Sequence, residues 1–174
     1  MWWLHVGAGG HVARRTSAWW ERATAARQHR PPQVLVHAVL EVEDDDGVVA
    51  VDMGPTWGKE AAAARRVLMV GPVGSPALGW CPFFRYELRV VPSGVDESAV
   101  VASSARVSLP AGVLDDLAHV PGYTWGRDEA AVGDMWTSNS VVAWLLARAG
   151  VNEVAPPPGH RAPGWAAGTV VARR

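Results

Sequence analysis

Apolar and polar positions change period along this chain. Val34, Val36, Ala38, Leu40 and Val42 alternate with Leu35, His37, Val39, Glu41 and Glu43, the period of two expected of a strand. Asp46-Gly47 follows between apolar runs and signals a tight hairpin, with residues 48–53 as the return strand. Residues 54–58 break the pattern, and 59–66 read as one or two helical turns. Residues 67–70 form a short apolar strand, 71–76 a loop, and 85–91 a strand with Tyr86, Leu88 and Val90 on one face. The period then turns helical. Ser93 or Asp96 can cap a helix reaching Arg106, and a second spans 109–120, with Pro110 suited to its first turn. The strongest helix is 137–150. Thr137, Ser138 or Asn139 caps it, Val141, Val142, Leu145, Leu146 and Ala149 form its stripe, and Gly150 ends it. Near the N-terminus, residues 16–27 read as an amphipathic helix capped by Thr16 or Ser17, with Trp19, Trp20 and Ala23 on one side and Pro31-Pro32 closing it. The proline-rich tail after 150 reads as irregular.

Period two followed by period 3.6 predicts an α+β fold: an antiparallel sheet from residues 33–91 with the 137–150 helix packed on it. The chain divides into a helical leader, 1–32, and one α+β domain, 33–174. A length of 174 residues suits one domain. A hydrophobic fraction of 49% with 19% charged residues argues against disorder. The net charge of -1 supplies no long-range field, so neither nucleic acid nor an anionic membrane is an expected partner. No basic-plus-apolar leader and no run of about 18 apolar residues is present, so the expected location is cytoplasmic. The wealth of Ala, Val, Gly, Arg and Pro is the bias of a high-GC bacterial genome.

Few residues carry chemistry. The single Cys81 excludes an internal disulfide or a multi-cysteine metal site, and it reads as a small buried apolar residue. Gly7-Ala8-Gly9-Gly10 lacks the third glycine of a dinucleotide fingerprint and reads as a turn. No His-x-x-x-His or Cys-x-x-Cys pair exists, so no metal and no cofactor is expected. His37 lies mid-strand. It is either a half-buried histidine bonded to backbone or an acid, or a general base held by the sheet. A tight 46–47 hairpin would bring Asp52 to the face of His37. Thr137-Ser138-Asn139-Ser140 opens the core helix, where unpaired N–H groups and the positive dipole end can stabilise an oxyanion.

That order, a strand histidine first and a polar residue opening a core helix later, resembles the permuted papain-like hydrolases, relatives of the NlpC/P60 amidases. Asn139-Ser140-Val141-Val142-Ala143-Trp144 and Gly150 take the places of the Asn-Cys pair, the apolar residues and the glycine stop. Residues 136–140 also look like the Pro-Asn-Ser-Asn-Thr-Phe signature of an uncharacterised bacterial family. The resemblance covers roughly residues 34–168. It implies a hydrolase or acyl-transfer enzyme acting on amide or ester bonds, with a protein or peptide-like substrate. His37 would be the base, Ser140 the nucleophile in place of cysteine, Asp52 the orienting acid, and Asn139 an oxyanion donor. The same order implies that His37 approaches the start of the 137–150 helix, with Ser140 or Ser138 nearest and Asp52 or Glu41 behind. Serine is harder to ionise than a thiol, and this departure keeps a second reading open: a catalytically silent binding module using the surface of a chain with ten Trp. Substrate, partner and oligomeric state have no motif of their own.

Overall fold

A computed structural model of the chain describes residues 1–6, 11–44, 47–57, 64–94, 97–103 and 107–174. The fold is a single α+β domain. Among the described residues, six strands form the main path of the sheet: β1 (Trp2–His5), β2 (Val34–Asp44), β3 (Gly47–Pro55), β4 (Arg66–Pro72), β5 (Arg85–Pro92) and β6 (Val100–Ser103). Their spatial order is β4-β5-β3-β2-β1-β6, every neighbouring pair antiparallel. A two-residue strand, β7 (His160–Arg161), runs parallel to β2 at Val34 and Leu35. The helices are α1 (His11–Arg27), α2 (Ser138–Arg148) and α3 (Trp165–Val171). No described helix is long and apolar enough to cross a membrane.

The alternation read in the sequence is realised in β2. Val36, Ala38 and Leu40 enter the core, while Leu35, His37 and Val39 stay half-buried on the other face. The core face meets Val141, Val142 and Leu145 of α2, together with Trp3, Leu88, Leu117 and Trp136. The β2–β3 hairpin pairs Asp44 with Gly47, and the expected Asp46 tip lies outside the described residues. So do Gly7-Ala8-Gly9-Gly10 and most of the turns expected over 59–66.

Several expectations are corrected. The N-terminal segment is not only helical: Trp2–His5 is a strand between β2 and β6, with Trp3 buried against Trp165 at a ring separation of 4.9 Å. Part of the expected leader, residues 2–5, is therefore a strand of the sheet. Helix α1 starts at His11, so Thr16 and Ser17 are not its caps. It buries Glu21 and Ala25 and leaves Trp19 and Ala23 exposed. In place of the expected helix a 3-10 turn leads into β6, because Val100, Ala102 and Ser103 pair with the open edge of β1; Asp96, an expected cap, and residues 104–106 lie outside the described residues. Residues 109–120 keep a helical spacing of buried Val113, Leu117 and Val120, yet form only turns and a 3-10 run between Pro110 and Pro121. Cys81 is half-buried before a 3-10 turn. Helix α3 occupies a tail expected to be irregular.

Helix α2 keeps its expected place, and Thr137 is its cap. The Thr137 hydroxyl accepts from the Asn139 N–H at 3.1 Å, and the Ser140 hydroxyl accepts from the Thr137 N–H at 2.9 Å. Asn139 ties this helix to β2. Its Oδ1 accepts from the Ala38 N–H at 2.8 Å, and its Nδ2 donates to the Val36 carbonyl at 3.1 Å and the Pro163 carbonyl at 3.0 Å. Asn139→Ala takes this partner from the Ala38 N–H and the Val36 carbonyl, while the Pro163 carbonyl keeps the Thr137 hydroxyl at 2.7 Å, and is expected to lower the unfolding free energy by roughly 2–5 kcal/mol. Ser140→Ala, which removes half of a capping box, should lower it by about 1 kcal/mol. Urea unfolding of both variants checks the order; equal losses would mean that Asn139 acts only as a cap.

Candidate active site

Ser138, Asn139 and Ser140 are consecutive at the start of a helix, so their side chains diverge by about 100° each. Asn139 points at the edge of β2. Ser140 is fully buried and faces α3, where its hydroxyl donates to the Gly164 carbonyl at 2.8 Å. A Cβ on Gly164 would collide with the Thr137 and Ser140 hydroxyls, and one on Gly168 with the Ser140 carbonyl, so these glycines let α3 close over Ser140. Ser138 takes the third direction. Its Oγ lies 3.0 Å from Nδ1 of His37.

That contact lies in a cleft of about 920 Å³. The cleft opens where β2 and β3 part: their pairing ends at Leu40 and Val51, and Asp52 is the next residue. Asp52 faces Arg89 across the β3–β5 ladder and receives Nε at 2.8 Å and Nη2 at 2.7 Å on the same oxygen, Oδ2. The Arg89 side chain is 1% exposed and that of Asp52 24%. Gly54 makes room for the guanidinium, since a Cβ there would lie 2.7 Å from Nη2. Arg89 Nη1 adds the Pro55 carbonyl at 3.3 Å and Glu87 at 3.5 Å.

Burial holds the His37 imidazole below its ordinary pKa, and the negative charge of Asp52 opposes this in part. The ring is therefore neutral near pH 7, with a nitrogen free to take the Ser138 proton when the other carries its own. Ser138 stands at the first position of α2, at the positive end of its dipole, where the Asn139 N–H is taken by the Thr137 hydroxyl and the Ser140 N–H by the Thr137 carbonyl. Among the described residues, no three His, Cys, Asp or Glu side chains converge as a metal site would require.

The structure thus brings His37 and Asp52 to one cleft and separates the others. Ser140, expected to be the nucleophile, is sealed under α3. Asn139, expected to be an oxyanion donor, has both polar atoms committed to backbone. Asp52 is bonded to Arg89 and reaches His37 through charge rather than as an orienting hydrogen-bond partner. Glu41, on the same strand face as His37, instead accepts from the Trp2 indole and the Ser93 hydroxyl. Arg89 escaped the sequence reading. An arginine set between Leu88 and Val90 of β5, opposite an acid in register, was the available signal. Comparison with protein-family models, with curated proteins and with solved structures gives no match for this chain.

The sign of the His37 shift fixes a pH dependence. A folded-state pKa below the unfolded value, about 6.5, means that the native state resists protonation. The stability His37 contributes is complete above that value and is lost as pH falls through the folded pKa. The His37 ring should titrate below about 6.5 by NMR, and Asp52→Asn should move its midpoint lower still by removing the charge that raises it. A midpoint at or above 6.5, or an upward move in Asp52→Asn, would contradict this electrostatic account.

Proposed function

We propose that the protein is a serine hydrolase or acyl-transfer enzyme acting on amide or ester bonds, with Ser138 as nucleophile and His37 as general base. The observation that carries the reading is the 3.0 Å approach of Ser138 Oγ to His37 Nδ1 inside the cleft. Ser138 Oγ attacks the carbonyl carbon while His37 takes its proton. The oxyanion that forms is stabilised by the positive dipole end of α2, at whose first position Ser138 stands. The imidazolium gains from the charge of Asp52 and returns its proton to the leaving group as the scissile bond breaks. Water, or an acceptor alcohol or amine, then releases the acyl group from Ser138, again deprotonated by His37. The order of strand histidine and helix-opening nucleophile supports a permuted papain-like plan, with serine at the first helical position.

A second reading, a binding module without catalysis, has one observation in its favour. Trp57, Trp80 and Phe83 are 65%, 77% and 75% exposed, and the Trp57 indole donates to the Phe83 carbonyl at 3.4 Å, so two of them already form one surface group.

Labelling with a fluorophosphonate separates the two. The wild type should be labelled on Ser138, Ser138→Ala should not react, and His37→Ala should react at least about a hundredfold more slowly. The folded fraction of Ser140→Ala should be labelled like the wild type. Labelling that survives Ser138→Ala, or a wild type that stays unlabelled, rejects the serine mechanism and leaves the binding module.

A further inference from the structure

The cleft also bears on what is transferred. The ionisable side chains among its described lining residues are His5, His37, Asp52 and Arg89. Arg89 is buried and matched by Asp52 and Glu87, so it offers no free positive charge to a carboxylate or phosphate. His37 is held neutral by burial. Around Ser138 and His37 the walls are apolar: Leu35 and Val39 flank His37 on β2, Trp20 comes from α1, and Trp125 and Met135 from the segment before α2. An anionic substituent placed against these walls would lose water without gaining the charge of Arg89, which is already matched.

Resting on the serine reading above, we infer that the cleft accepts a neutral, extended apolar acyl group, carried as an ester or thioester, with the chain along the Leu35–Val39 wall. A volume of about 920 Å³ leaves room for a medium-length chain beside the reacting carbonyl. The carbonyl carbon bonds to Ser138 Oγ as its bond to the leaving oxygen or sulfur breaks, and that atom departs with the proton held by His37.

A series of p-nitrophenyl esters from acetyl to dodecanoyl tests this on the full chain. Ser138-dependent kcat/KM should climb about fourfold per methylene until the chain fills the cleft. An acyl chain of equal length ending in a carboxylate should react at least tenfold more slowly. Leu35→Gln and Trp20→Ser, on different elements, should each reduce the decanoyl ester more than tenfold and change the acetyl ester less than threefold. In parallel, decanamide binding to Ser138→Ala is measured by calorimetry, with acetamide as the control. Ser138-dependent turnover with a flat, falling or anion-preferring profile overturns the acyl inference alone. Decanamide binding by a protein without Ser138-dependent turnover overturns the serine mechanism and retains the apolar cleft. Neither turnover nor decanamide binding overturns both.

Discussion

The structure turns on one side-chain amide seated in the edge of a sheet. Between Val34–Leu35, which pair with β7, and Leu40–Asp44, which pair with β3, strand β2 has no strand partner on that edge among the described residues. Asn139 supplies one. By accepting from the Ala38 N–H and donating to the Val36 carbonyl, it brackets His37 as a residue of a parallel neighbouring strand would. A buried amide is favourable only when its donors and acceptors are satisfied, and the remaining donor finds the Pro163 carbonyl. One residue thereby sets the height of α2 against β2, holds β3 away so that a cleft opens, and places the preceding residue, Ser138, beside the bracketed histidine. The angular step of a helix does the rest by turning Ser140 towards α3.

Charged groups brace this arrangement from two sides. Arg89 clamps Asp52 on the β3 side of the cleft. On the far side Glu21 of α1 is buried and accepts from Arg30, Arg161 and the Gln33 N–H. Burial pushes the Glu21 carboxyl up, but these hydrogen bonds outweigh it and hold it below the usual range. Because Arg161 belongs to β7, which pairs with β2, the Glu21 cluster ties α1 to the strand that Asn139 engages. Arg161 also lies 5.3 Å from the ring of Trp20, which lines the cleft.

What the sequence disclosed follows from how local each determinant is. The β2 alternation, the hairpin, β5 and α2 depend on side-chain periodicity within one segment, and they stand where the pattern put them. His37 and Asp52 came with them, because strand faces follow from parity. The serine assignment did not, because Ser138 and Ser140 are two steps apart on one helical turn and periodicity alone cannot say which faces the strand. That depends on α3, whose seven residues follow Pro163-Gly164 and contain Gly168, features that read as helix breakers. Here they are conditions of close approach to Ser140. β1 and β6 were equally hidden. Four-residue strands carry little pattern, and each exists through a partner distant in sequence.

The site combines requirements that compete in most settings. A serine needs a strong base, yet burial weakens His37 as a base by depressing its pKa. The compensation is electrostatic. Asp52 stabilises the imidazolium that appears during proton transfer, and Arg89 holds that carboxylate in place while His37 stays neutral at rest. Apolar walls strengthen that effect, since charge interactions grow as water is excluded. The surroundings that keep His37 neutral at rest therefore make its protonation in the transition state more responsive to Asp52, and an apolar group entering the cleft would increase this by displacing more water. Binding and activation would then draw on one property of the cleft, the apolar walls around a single prepared hydrogen bond.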